Sequence, residues 1–194
     1  MANPPNTDNL AVGKGVLWVA EFASGVPGSY SKMGNCPSVE FEPTLERLPH
    51  YNSMAGFRER DKNPIIQMEY VLTIVCDEMA ATNLRKYLMG TLNEGMQIYG
   101  MQDAEKEYAL RFVSNNPVGP NQTWDFWKVT LQPNGAIALI GEDWMSMSYQ
   151  AQGLYDSTNH PESPYYTVDY EDGYTETSES ESSRSSESSS STSV

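Results

Sequence analysis

Cations are scarce in this sequence of 194 residues: 12 Lys and Arg stand against 26 Asp and Glu, a formal net charge of −14. Gripping nucleic acid through its phosphates takes clustered Lys and Arg, so this balance excludes a nucleic-acid anchor. It does not exclude a surface along which nucleic acid passes without sticking. Cysteine is almost missing as well. Cys36 and Cys76 lie on separate predicted strands, too few for a disulfide framework and without metal-ligand spacing, and they read as buried thiols of a reducing cytoplasm. The two histidines, His50 and His160, lie at no ligand spacing to a cysteine or to each other. No apolar run approaches the roughly 20 residues that cross a bilayer. Residues 1–12 are polar, hold two prolines and lack the apolar stretch of a signal peptide. With no secretory signal, Asn121-Gln122-Thr123 is a chance match to a glycosylation acceptor.

Apolar residues are also in short supply, at 39% against the usual 45–50% or so of a globular chain, a benchmark that counts glycine too. The deficit is local. Residues 1–155 carry 17 acids and 11 bases, a net of −6, whereas residues 156–194 carry 9 acids and Arg184 alone, a net of −8. The first part can bury an ordinary core. Residues 155–174 are acidic and tyrosine-rich, and residues 178–194 hold 11 serines, three Glu and one Arg. Such a stretch has too little apolar surface to offset its ordering entropy. The expected division is a β domain over 1–153 and an acidic Tyr/Ser-rich extension over 154–194, largely disordered or lying on the surface.

What is present is alternation. Val39, Phe41, Pro43 and Leu45 alternate with Ser38, Glu40, Glu42, Thr44 and Glu46, which describes a half-buried strand with an acidic outer face. Ile66, Met68, Tyr70, Leu72, Ile74 and Cys76 share a face of a second strand. Further strands are expected at about 15–20, 107–113, 124–131, 136–140 and 145–151. Asn134-Gly135 suits a type I′ turn, so 127–131 and 136–140 are expected to form a hairpin. One helix is expected over about 77–89: Asp77 can cap it, Ala80, Leu84, Tyr87 and Leu88 share an apolar stripe, Arg85 and Lys86 suit its negative end, and Gly90 ends it. The fold class is mainly β, a two-sheet β-sandwich with one short helix and a flexible C-terminal extension.

Residues 47–63 do not fit a compact sandwich. Structureless loops beyond about 12–15 residues are uncommon in compact domains and tend to be functional. This one holds Leu48, Tyr51, Met54 and Phe57 together with Arg47, Arg58, Arg60 and Lys62, four of the eleven bases of residues 1–155. Apolar groups on a long basic arm find partners most readily on another subunit. No catalytic or metal constellation accompanies it, so an enzyme and a cofactor are not expected. Gly13-Lys14-Gly15 is too short for a phosphate cradle, and the acids of 156–172 lack the ligand ladder of a calcium loop.

Several phrases together resemble the tail tube proteins of long, non-contractile-tailed bacteriophages. These are Gly13-Lys14-Gly15-Val16-Leu17-Trp18-Val19-Ala20-Glu21-Phe22, Gly25-Val26-Pro27-Gly28, and Met33-Gly34-Asn35-Cys36-Pro37. After the acidic strand follow Glu46-Arg47-Leu48-Pro49-His50-Tyr51-Asn52-Ser53, Gly56-Phe57-Arg58-Glu59-Arg60-Asp61, and Asn83-Leu84 through Leu88-Met89-Gly90. The likeness is continuous over about 12–90 and weaker over 107–152. It implies a virion structural protein, made in the host cytoplasm, whose β-sandwich closes into hexameric rings stacked around a channel for DNA. Its implied partners are further copies of itself, the tape measure protein, the tail terminator and tail-tip proteins, with DNA only in transit and no membrane. Under this resemblance Glu40, Glu42 and Glu46 are expected to face the lumen. Tyr51, Met54, Phe57, Arg58, Arg60 and Lys62 are expected on the loop that touches the adjacent ring. The competing reading is a secreted or surface carbohydrate-binding β-sandwich that uses Trp124 and the tyrosines.

Overall fold

The computed structural model describes residue 7, residues 10–54 and residues 56–171. Strand β1 (Gly15–Ala23) buries Leu17, Val19 and Ala20 and is flanked by two short pieces, β2 (Val26–Pro27) and β3 (Ser31–Lys32). Strand β4 (Ser38–Arg47) leads into a small hairpin of β5 (His50–Asn52) and β6 (Glu59–Lys62), and β7 (Ile65–Cys76) returns along β4. Helix α1 (Ala81–Tyr87) and the small pair β8 (Thr91–Leu92) and β9 (Ile98–Tyr99) come next. Strands β10 (Glu107–Ser114), β11 (Gln122–Pro133), β12 (Met147–Gly153) and β13 (Tyr166–Tyr170) complete the chain's described part.

Among the described residues the fold is mainly β with one short helix, as the alternation implies. One antiparallel sheet of nine strands runs in the order β2-β1-β10-β11-β12-β7-β4, with β3 on β1 and β13 on β11. Phe41 of β4 nevertheless meets Trp124 and Phe126 of β11, at ring-centre distances of 5.4 and 5.7 Å. Two strands, β12 and β7, separate β4 from β11 in the hydrogen-bonded order. The sheet must therefore curl until its two flanks face each other. The two layers of the core are halves of one sheet. Between them lie Leu72, Ile74, Leu110, Phe126, Val129 and Tyr149, each 2% exposed or less, and each worth roughly 1.5–3 kcal/mol on burial for residues of the Val/Leu/Ile/Phe kind. Gly153 permits one close approach: the Tyr70 ring lies where a Cβ at that position would project.

Three expectations need correction. The hairpin 127–140 does not form, and 136–140 is not a strand: β11 runs on to Pro133 and pairs with β12, Pro133 opposite Tyr149, after a long excursion. Gly135 does take the positive φ, +101°, that the Asn-Gly signal implies, but the turn opens into a loop. The helix starts later than 77. Its N-cap, Ala80, has no side-chain acceptor to offer, and the Asp77 carboxylate accepts from Asn35 Nδ2 at 2.7 Å instead of capping the helix. The boundary at 153 also fails. Residues 154–171 continue the same fold: β13 pairs with the first half of β11, Tyr166 opposite Phe126, while β12 pairs with its second half. His160 stacks on Trp127 at 3.7 Å, and Trp127 Nε1 donates to the Ser163 carbonyl at 2.9 Å. The serine-rich residues 178–194 lie outside the described residues.

The cysteines also stand differently. Cys36 precedes β4 and Cys76 ends β7, and hydrogen bonding between the two free thiols is the largest influence on each, pulling Cys76 down to about 7 and pushing Cys36 up. Ser38 pairs with Val75, which is the register that brings the thiols together.

Candidate functional site

The long loop 47–63 is an ordered arm. β4 and β7 pair from Ser38 opposite Val75 out to Arg47 opposite Ile65, the Leu48 amide donates to the Pro64 carbonyl at 3.0 Å, and β5–β6 carries the pairing on from His50 opposite Lys62. From Tyr70 to Phe57 the ribbon has a contour of roughly 40 Å at about 3.3 Å per residue. That is comparable with the diameter of a body of this size, whose radius of gyration is about 14 Å.

Alternation along the ribbon gives it two chemically different faces. One continues the core outward: Phe41, Leu72 and Tyr70 pack inside, and beyond them Pro43, Leu45, Met68 and Ile66 lie exposed. Leu45 sits opposite Met68, and with Pro43, Tyr70, Tyr165 and Tyr166 they border an apolar hollow of about 250 Å³. The other face holds Glu40, Glu42 and Glu46 in alternate positions, all exposed, and β7 adds Glu69 to the same row. The three glutamates named from the sequence thus share one face, and the β4–β7 register brings the outward Glu69 into their row. Among the described residues, none of the four has a cation in ion-pair range, and no strand pairs with the outer edge of β4.

At the arm's tip Met54 is 93% exposed and Phe57 62%. Tyr51 anchors the bases: the Arg58 guanidinium lies 4.6 Å from its ring centre, and Arg60 donates to its hydroxyl at 3.4 Å, which holds the phenol below its usual pKa. The His50–Asp61 contact of 2.5 Å clips the hairpin and lowers the Asp61 carboxyl. Among the described residues, Arg58, Arg60 and Lys62 have no carboxylate in ion-pair range. The six residues named for this loop thus share one protruding ribbon.

A second exposed apolar group went unnoticed in the sequence. Leu139, Ile140 and Trp144, the last two 98% and 96% exposed, occupy the excursion between β11 and β12 beside the acids Glu142 and Asp143. Its base is fastened: Tyr87 Oη donates to the Gly135 carbonyl at 2.5 Å, Asn134 N to the Ser148 carbonyl at 2.8 Å, and Ile137 packs on the core. Ile140 was expected inside a strand, which is why it drew no notice. Trp144 stood one residue outside the expected strand 145–151 and carried the only visible signal, an aromatic between acids and a strand start.

Trp124 is no open platform. Its ring is half-buried, stacked on Phe126 and Tyr166 and tilted against Phe41. Among the described residues no group of three or more His, Cys, Asp or Glu could hold a metal ion, and no helix is long and apolar enough to cross a membrane.

Curled sheet, single helix and protruding ribbon define a mainly-β protein whose exposed chemistry is concentrated in an arm, an acidic strand face and one apolar loop. The chain belongs to the family described as "Protein of unknown function UCP028589", which matches residues 10–97 and 91–169. Among curated proteins none matches the sequence.

Proposed function

We propose that this chain is a structural subunit that assembles with copies of itself into stacked rings around a lumen, as its resemblance to siphophage tail tube proteins implies. The observation that carries the reading is the arm. A ribbon about as long as the body is wide keeps Leu45, Met54, Phe57, Ile66 and Met68 in water, and apolar surface extended from a core into solvent marks an interaction site. The uncovered edge of β4 supplies the ring contact, because an unpaired strand edge is a template for pairing and ring closure removes it. With that edge joined to a neighbour, the face of Glu40, Glu42, Glu46 and Glu69 lines the passage, where unneutralised carboxylates leave DNA unbound as it moves. In the assembled virion tail the tape measure protein, tail terminator and tail-tip proteins are its further neighbours.

Negative-stain microscopy tests the reading. The full chain is expected to form rings or tubes roughly 10 nm wide, the width of six two-layer subunits around a channel. A chain lacking residues 50–60 is expected to keep its far-ultraviolet circular dichroism but form no tubes. Monomers of the full chain across concentration and salt, or tubes from the deleted chain, would sink it.

A further inference from the structure

We propose that the arm of one copy docks on the excursion between β11 and β12 of the next copy, with Phe57 and Met54 against Leu139, Ile140 and Trp144. This rests on the assembly reading above and names the receiving surface, which that reading leaves open. Three observations support it.

The first is position. β7 has Ile65 at the arm and Cys76 at its other end, and Cys76 pairs with Met147, the residue that ends the excursion. Arm and excursion thus leave the sheet at opposite ends of one strand, about 36 Å apart at 3.3 Å per residue. An arm pointing away from its own excursion cannot cover it, whereas the arm of a copy stacked end to end can. Two unlike patches at opposite ends give a heterologous contact, which repeats without limit along an axis.

The second is charge. The arm presents Arg58, Arg60 and Lys62, and the excursion Glu142 and Asp143; all five are exposed and, among the described residues, lack an ion-pair partner within their own chain. Placing the two segments together gives Glu142 and Asp143 cationic neighbours and favours the arrangement in which unlike ends meet.

The third is the kind of residue exposed. Trp, Met and Arg are enriched at the cores of protein interfaces, and an aromatic anchored beside a charged rim is the usual arrangement of a binding hot spot. Trp144 and Ile140 are almost wholly in water while the base of their loop is held by the Tyr87 and Asn134 hydrogen bonds. An interface loop fixed in advance loses little entropy on docking.

The test uses the full chain with the photo-reactive residue benzoylphenylalanine in place of Phe57, irradiated after assembly, with the cross-linked fragments identified by mass spectrometry. Cross-links between chains to residues 136–146 are the expected result. Tubes whose cross-links fall elsewhere, or within one chain, overturn the docking and leave the assembly reading standing. Absence of any assembly in the unsubstituted chain overturns both.

A second arm uses charge reversal. The Arg58→Glu/Arg60→Glu variant and the Glu142→Arg/Asp143→Arg variant are each expected to assemble at least tenfold less readily in sedimentation velocity, and their mixture to recover. Failure of the mixture to recover, with both variants folded by circular dichroism, counts against the contact. Trp144→Ser, at a site too exposed to matter for folding, is expected to weaken stacking at least tenfold, and unchanged stacking would refute its role.

Discussion

Replacing Lys86 with methionine should stabilise the protein at neutral pH and remove a pH dependence. Lys86 sits on α1, only 5% exposed, and its ammonium donates to the Thr82 carbonyl at 3.3 Å without a carboxylate beside it. Burial, then the like charges of Arg85 and Lys106, bring its pKa from 10.5 to about 8. A lysine whose folded pKa lies below its unfolded value binds its proton more weakly when folded. It therefore costs stability throughout the range below pH 8. As pH rises from about 8 to 10.5 the folded state sheds the proton first and stability climbs. At 1.36 kcal/mol per unit the full swing is about 3 kcal/mol as an upper bound. Methionine keeps the apolar stem and forfeits one hydrogen bond worth about 1 kcal/mol, so a net gain of about 1–2 kcal/mol at pH 7 is expected. The buried phenols Tyr70 and Tyr149 have raised pKa values, chiefly from burial, and they oppose the climb above pH 10. Urea unfolding followed by tryptophan fluorescence at pH 7, 8.5 and 9.5, at concentrations too low for assembly, reads both quantities. A wild type whose stability stays flat or falls between pH 8 and 9.5 would refute the reasoning, as would a variant that keeps the climb.

Three further outcomes follow from the same geometry. Ending the chain after Gly153 removes β13 and uncovers Phe126 and Tyr70, so that chain is expected to be insoluble or molten by near-ultraviolet circular dichroism, while ending it after Glu171 is expected to leave unfolding unchanged; equal stability of the two would refute β13's place in the core. Phe41→Ala empties the centre of a cluster of Tyr70, Trp124, Phe126 and Tyr166 and should cost about 3 kcal/mol in urea unfolding, with a loss below 1 kcal/mol counting against the curl of β4 onto β11. Glu40, Glu42 and Glu46 changed together to lysine should make assembled particles bind duplex DNA at 50 mM salt and release it at 0.5 M, and particles that remain indifferent to DNA would remove the lumen assignment.

Much of the sheet was legible because its strands announce themselves. In β4 and β7 the inward residues recur at every second position, and their burial follows that alternation where the strand lies over the body. The arm was legible for a different reason: seventeen residues carrying both apolar and cationic side chains have no place in a compact loop. What stayed hidden depends on partners distant in sequence. Asn134-Gly135 makes a turn, and nothing local says that the strand after it is Met147 onward and not Ala136 onward. The tyrosine-rich stretch looked like an appendage because composition averages over β13. Tyr166 and Val168 alternate with Thr167 and Asp169, but five residues gain meaning only when the free edge of β11 is there to receive them. Ile140 looked like part of a strand for the same reason, since apolar character alone does not tell which core it belongs to.

The double use of β11 has a consequence for the order in which the molecule can be made. Its first half receives β13 and its second half β12, with β10 along the opposite edge. β1 finds its partner only when Glu107–Ser114 has been synthesised, and Phe41 lacks its aromatic neighbours until Trp124, Phe126 and Tyr166 exist. For most of translation the β4–β7 ribbon has no body to lie on, and long-range pairings of this kind close late. A nascent chain that stops short of β13 therefore cannot hold the finished fold. Among the described strands the last to leave the ribosome, β13, is also the one that covers the aromatic centre of the core, so that centre closes only after residues 166–170 have been made.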